Sequence, residues 1–461
     1  MRLNRNLRRF SQPLSIITCT DKLIQNDPGF VELSLERLGE NFDLDDFVYA
    51  IKANQTVKHV CFSGTFVREL QPDQWKTMLE AVGHLSTLEE LQIWCSTIPI
   101  GVFRKTIECA KVLRKVYFFR ITLSGTQAEF DEFAATLKDH PSLRDFRIGG
   151  FQTSDENIIL DSVVEAFAEM PALEVVSLQL TGFHESVPFS GNSLARLFQS
   201  ESLSDLYLSR LGLVAEHFDV IVRGMTENEN LRVLDLFGNN INNEHVVSMA
   251  EALAHNTGLE TLVLPCPAED LSVESCKAIS QALQVNKTLV TLNLPRSILT
   301  DEGLTHIAEG LTVNTTLKKI EVGVSKSIGG KGTDALEEML EKNYELQRLV
   351  VSSAEKGVKE KVEFYMRLNE VGRGSLLRDG KATREQWVEM LSTVTNDLDC
   401  LFYFISMNPA LCQFANTQGA DVIVTEEFRP KRRHTIELGN YNSVEDEANK
   451  LKAKPRRASA F

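Results

Sequence analysis

At 461 residues, with 43% hydrophobic and 25% charged side chains, the chain has the composition of a folded protein in water. No apolar run approaches the ~18–20 residues that cross a bilayer, which excludes a spanning helix and argues against a membrane partner. The formal charge of −15 is uneven, +4 over residues 1–20, +5 over 429–461 and −24 between them; that acidic body disfavours nucleic acid and suits a basic protein partner.

In the first twenty residues, Leu3, Leu7, Phe10 and Leu14 share a helical face among four arginines and no acid. That pattern suits a mitochondrial presequence, but Pro13 shortens any such helix, and residues 1–29 are expected to be a flexible basic segment. The eight cysteines form no Cys-x-x-Cys pair and are too sparse for a disulfide framework. Reduced thiols in a cytoplasmic protein are the expectation, with nuclear or mitochondrial residence as alternatives.

From Phe30 the chain acquires a rhythm. The figure L-x-x-L-x-L, clearest in "LRVLDL" from Leu231, returns at Leu259, Leu289, Leu317 and Leu346, and upstream at Leu203, Leu173, Leu143 and Leu113. Weaker copies start at Leu88, Val57 and Phe30, giving twelve starts at a mean spacing near 29 residues. Each figure is followed by a helical pattern. Leu304, Ile307, Ala308 and Leu311 share one face, as do Val246, Met249, Ala250 and Leu253. A lone strand–turn–helix unit cannot bury its apolar residues; stacked units can. Strands stack ~4.7–4.9 Å apart while helices need ~10 Å, so residues 30–352 should form an α/β solenoid curving toward a concave parallel sheet.

Past Val351 the strand signal stops. "KGVKEKVEFYMRL" reads as a helix, and "TREQWVEMLSTV" opens with Thr383 and Gln386 in capping-box spacing ahead of Trp387, Met390, Leu391 and Val394 on one face. "DLDCLFYFISM" continues helically to Asn408-Pro409, so 353–414 is expected to be a helical C-terminal cap. Residues 415–461 lack a core pattern and are expected to be disordered. Their two basic clusters place Arg-Arg before Thr435 and Ser459 in the spacing basophilic kinases prefer, and a phosphate there would reverse the local charge.

These repeats resemble the leucine-rich repeat family in its long, ribonuclease-inhibitor-type subclass. The resemblance is strongest from Leu203 to Leu346, where the helix-to-strand corner reads "NENL", "NTGL", "NKTL", "NTTL" and "NYEL". It implies that Asn239 turns inward to bond neighbouring backbone. The equivalent positions are Pro267, Ser297, Ser325, Leu211, Thr181 and Phe151, so a regular asparagine ladder is not expected there. The segment after the repeats is also similar to a module that follows repeat arrays in proteins of unicellular algae, a resemblance that supplies no activity.

Chemical motifs fail one by one. "SKSIGGKGTD" lacks both the first glycine and the final Ser/Thr of a phosphate loop, and Gly332 instead matches Gly303 at the turn into an outer helix. The sequons at Asn54, Asn286 and Asn314 all fall at the same corner and read as repeat consensus. Nine scattered histidines form no metal-ligand spacing, and no nucleophile elbow occurs. No enzyme activity, cofactor or metal is expected.

The hollow sheet face remains. Its outward side chains should include Trp94, Tyr117, Phe119, Arg147, Asp205, Tyr207, Arg210, Asp235 and Phe237, the aromatic, Arg and Asp types that dominate binding hot spots. The expectation is a monomeric protein-binding scaffold regulated through its basic tail, which competes with the partner until Thr435 or Ser459 is phosphorylated. The resemblance implies one alternative, a GTPase-activating role like that of the activator of the nuclear-transport GTPase Ran.

Overall fold

The computed structural model describes residues 16–38, 42–180, 188–265, 267, 270–324, 329–352, 354–378 and 380–412. The chain divides into a large unit, Met1–Phe404, and a small one from Ile405 onward. Fourteen strands lie among the described residues of the large unit: β1 Glu32–Leu35, β2 His59–Phe62, β3 Glu90–Trp94, β4 Thr97–Pro99, β5 Lys115–Phe119, β6 Thr122–Ser124, β7 Asp145–Thr153, β8 Val175–Leu180, β9 Asp205–Ser209, β10 Val233–Asp235, β11 Thr261–Val263, β12 Thr291–Leu299, β13 Lys319–Val324 and β14 Arg348–Ser352. Twelve of them hydrogen-bond side by side in chain order, each neighbour parallel, while β4 and β6 form a small flanking ribbon against the far half of β7. This is the open, curved α/β solenoid that the repeat demands.

The register of the core rows holds across the sheet, with shifts only past Gly149 in β7 and past Leu294 in β12. Leu33, Val60, Leu91, Val116, Phe146, Val176, Leu206, Leu234, Leu262, Leu292, Ile320 and Leu349 stand in one lateral row, one from each of the twelve units. The helices after β9 to β13 run 13 residues each and bury the residues their periodicity named, including Leu304, Ile307, Ala308 and Leu311. The upstream units read weakly because phenylalanine replaces leucine. Phe133, Phe103, Phe118, Phe146 and Phe167 are buried and meet one another in that order, edge-on or tilted, with ring centroids 4.9–6.1 Å apart.

Two polar ladders stitch the units. At the helix-to-strand corner, Asn286 donates its amide to the Leu253 carbonyl (2.8 Å) and the Asn256 carbonyl (3.0 Å), and its Oδ1 accepts from the Thr288 and Leu289 amides (3.0 and 2.8 Å). Asn54, Asn228, Asn256, Asn314 and Asn343 repeat the arrangement. All but Asn228 are buried, so the sequons at 54, 286 and 314 present no free amide. His140 takes the same place in its unit, its ring bonded to the Ala110 carbonyl and accepting from the Leu143 amide. The regular ladder thus exists, at a corner different from the family position. There Asn239 does turn inward onto Leu208, Leu211 and Leu236, and Ser297 imitates it with bonds to Leu294 and Gly323. Ser325 and Thr181 lie outside the described residues.

The second ladder caps helix N-termini across units. Asp301, at the first turn of its own helix, accepts from the Gly329 and Gly332 amides that open the next. Asp161 and Asn243 do the same for Ser190 and Ser272. A β-carbon on Gly332 would stand 2.5 Å from the Asp301 carboxylate, which is why glycine occupies that turn.

Both ends are closed. The segment before Phe30, expected to be flexible, carries a helix at Ile16–Ile24 that buries Cys19 and Leu23, so its folded part shields the first repeat. Residues 1–15, with the presequence pattern, lie outside the described residues. Beyond β14, helices Lys356–Glu370, Arg373–Leu377, Arg384–Thr393 and Leu398–Met407 follow, with the Thr383/Gln386 capping box in place. The last repeat has no successor to satisfy its carbonyls. Asn369 therefore donates to Asn343 and Leu346, and the fully buried Arg373 donates to Leu340 and Asn343. The guanidinium lies over Tyr344 and Tyr365 at 4.8 and 4.9 Å.

Candidate functional site on the open sheet face

Alternation along each strand sends one set of side chains toward the helices and leaves the other half-exposed, as in β1, β2, β9 and β10. The register aligns the second set into rows that cross the repeats. One runs Glu32, His59, Glu90, Lys115, Asp145, Val175, Asp205, Val233; the next runs Ser34, Cys61, Gln92, Tyr117, Arg147, Ser177, Tyr207, Asp235.

Five of the nine expected residues meet in one cluster centred on Arg147. Its Nε and Nη2 bond the two Asp145 oxygens at 2.7 and 3.0 Å, and its guanidinium lies 5.7 Å from the Tyr117 ring and 5.5 Å from that of Tyr207. Tyr207 is two strands away, so the side chain must pass over the strand between, where Ser177 is small and buried beneath. Burial alone would depress the Arg147 pKa, but the bonds and charge of Asp145 outweigh it and hold the group firmly cationic. Asp205 stands beside Tyr207 with one hydroxyl donor, Ser204, at 3.2 Å; burial pushes its carboxyl above the usual range. Burial also pushes the Tyr207 phenol to about 12. Asp235, neighbour of Tyr207 in the row, accepts from the Phe237 amide (2.8 Å) and the Ser209 hydroxyl (3.3 Å).

Tyr117 corrects the expectation of an exposed aromatic. It is 7% exposed, and its hydroxyl donates to Asp145 at 3.0 Å. Arg147 is likewise spent on Asp145, its side chain 12% exposed. Both act as floor for the site. The contact-forming surface falls to half-exposed Trp94, Phe119, Tyr207 and Phe237.

Trp94 and Phe119 form a separate shelf, rings 5.0 Å apart, and the next strand presents Gly149. Beneath Trp94 a polar chain runs from its indole N–H to Gln92 (3.4 Å) and from the Gln92 amide to Glu90 (2.7 Å). Arg210 and Arg120 are exposed, each over an aromatic ring at 5.5 Å, Phe237 and Phe119 respectively. Sequence reasoning missed Asp145, Gln92, Glu90 and Arg120. Asp145 carried a usable signal, since it stands two residues before Arg147 on the same face. Thr435 and Ser459 lie outside the described residues.

Among the described residues, no His, Cys, Asp and Glu side chains group as metal ligands, and no helix is long and apolar enough to cross a membrane. Stacked strand–helix units, leucines lining the interior and an uncovered sheet face define a leucine-rich repeat solenoid. No family model matches the chain. It is 32% identical over 142 residues to NACHT, LRR and PYD domains-containing protein 9B of Mus musculus, covering 31% of this chain and 14% of that protein. It is 29% identical over 132 residues to NACHT, LRR and PYD domains-containing protein 13 of Homo sapiens, covering 28% and 12%. The chain thus spans a small part of these relatives' length. A solved TLR13–ssRNA13 complex aligns with 70% of this chain and 44% of that one, at 14% identity and a TM-score of 0.38.

Proposed function

We propose that this protein is a non-enzymatic scaffold that binds a protein on its open sheet face. The observation that carries the reading is two groups of half-exposed aromatics, Tyr207 and Phe237 beside a floor already satisfied by Arg147, Asp145 and Tyr117, and Trp94 and Phe119 over Gln92 and Glu90. A prearranged floor spares a binding partner the entropy of ordering it, and aromatics supply large area with few rotatable bonds. The 13-residue outer helices and 28–30-residue period from Leu203 onward support the ribonuclease-inhibitor-type subclass.

Pull-down with the full chain and with Tyr207→Ala/Phe237→Ala tests this. Loss of the same bound species from the double variant, with thermal unfolding unchanged, supports the sheet-face reading; undiminished capture removes it. The GTPase-activating alternative is decided by turnover of a GTPase panel with and without the chain. Regulation through Thr435 or Ser459 belongs to the same proposal. Removing residues 429–461 without changing partner affinity across salt concentrations would eliminate it.

A further inference from the structure

At five strands of the open face, β3, β5, β7, β9 and β10, the chain turns through a left-handed residue. Cys95, Arg120 and Arg210 adopt φ of 53°, 53° and 54°, and their amides reach sideways to the carbonyls of Phe119, Gly149 and Phe237. Gly150 and Gly238 stand at the same turn with φ of 69° and 76°. Glycine suits that conformation, whereas another residue there carries strain. Packing accounts for Cys95, which presses on Gly64 so closely that a β-carbon there would stand 2.3 Å from its own. It does not account for the two arginines, which are exposed.

The surroundings are shaped to them instead. Arg210 lies over the Phe237 ring, and Gly238 leaves the space its stem occupies, since a β-carbon there would meet its Cγ at 2.6 Å. Arg120 lies over Phe119, which leans on Trp94, and its backbone amide bonds the Gly149 carbonyl of the next strand. Strained backbone and an aromatic floor recur at both positions. Strain kept at an exposed residue points to function.

We propose that Arg120 and Arg210 are paired anchors for two carboxylates of an extended acidic peptide segment of the partner. This rests on the protein-binding reading above and names the chemistry of what seats there. Three strand spacings separate the turns, roughly 14 Å, which an extended chain covers in about four residues. The aligned residues between them, Gly149, Gln179 and Ser209, are uncharged, and the nearby Asp235 carboxylate accepts from the Ser209 hydroxyl and the Phe237 amide. The body's −24 charge suggests a cationic partner, but charges more than about 8 Å away are screened at physiological salt, and the arginine forks in contact decide what binds.

The test is selection of displayed random peptides on the immobilised full chain, followed by titration of a synthetic enriched peptide. The expected winners carry two Asp or Glu residues about four positions apart, as the spacing requires. Arg120→Gly and Arg210→Gly should each weaken them about tenfold or more, a hot-spot-sized loss, while the melting temperature stays level or rises because glycine relieves the turn. Arg210→Asn, which also tolerates the left-handed region, should match Arg210→Gly in binding. Winners without paired acids, winners that bind the double glycine variant undiminished, or no enrichment over an unrelated protein would each overturn the proposal. If acid-free winners are lost with Tyr207→Ala/Phe237→Ala, the sheet-face reading survives and the arginine anchors fall. If winners ignore every substitution on this face, both fall.

Discussion

Replacing Asn286 by alanine removes five hydrogen bonds at one stroke, a long one from the Thr288 hydroxyl (3.4 Å) among them. The Leu289 amide and the Leu253 and Asn256 carbonyls lose partners inside the buried corner, and the Thr288 amide loses its partner where that residue is half-buried. A buried polar group left unpaired costs about 1–3 kcal/mol, carbonyls with a second lone pair less, so a loss of about 3–5 kcal/mol is expected. That is a large share of the ~5–15 kcal/mol by which a typical domain is stable. Asn286→Asp sharpens the test. It keeps an acceptor for the two amides but turns an oxygen toward two carbonyls at 2.8 and 3.0 Å. It should therefore be worse than alanine at neutral pH, and should recover as acid protonates the carboxyl and restores one donor. Urea unfolding followed by far-UV circular dichroism at neutral and acidic pH measures both. An alanine variant within about 1 kcal/mol of the parent, or an aspartate variant milder than alanine at neutral pH, would show that the ladder is not what couples the repeats.

His140 holds the same ladder position only while neutral, because its Nδ1 accepts from Leu143, and burial pushes its pKa below the usual range. Its contribution is complete above the unfolded value of ~6.5 and fades as pH falls through the lower folded value, so His140→Asn should flatten the loss of stability in urea titrations between neutral and mildly acidic pH. Gly224→Ala should destabilise by about 1–3 kcal/mol, since its β-carbon would meet the Phe198 ring at 2.3 Å. Gly357→Ala, with nothing within 4 Å, should be neutral or stabilise by up to about 1 kcal/mol in the same unfolding assay. Arg373→Ala withdraws the donor from Leu340 and should cost about 3 kcal/mol, opening the C-terminal cap to limited proteolysis before the repeats are cut.

The solenoid was legible because leucine spacing reports burial directly, and even the divergent early units kept register once Phe118 and Phe146 were read as leucine substitutes. The corner asparagines were legible as letters but not as a ladder, because a bond from Asn286 to Leu253 joins residues a whole repeat apart. Nothing in the spelling of Tyr117, Arg147 and Tyr207 says that one guanidinium spans both rings; that depends on Ser177 being small on the strand between. Tyr117 was misread as exposed for the same reason, since strand alternation gives its direction and not what lies over it. The helix at Ile16–Ile24 was masked by its basic leader, and the left-handed turns at Arg120 and Arg210 are properties of φ that arginine does not advertise.

The corner ladder also makes the molecule editable by splicing. Excising residues 257–286 joins Asn256 directly to Lys287, and the amide that served one module then faces the Thr288 and Leu289 amides of the following one, with its own upstream carbonyls unchanged. Shorter or longer chains of the same make can therefore arise by duplication or loss of whole periods, each seam healing itself, while the two terminal helical lids stay put.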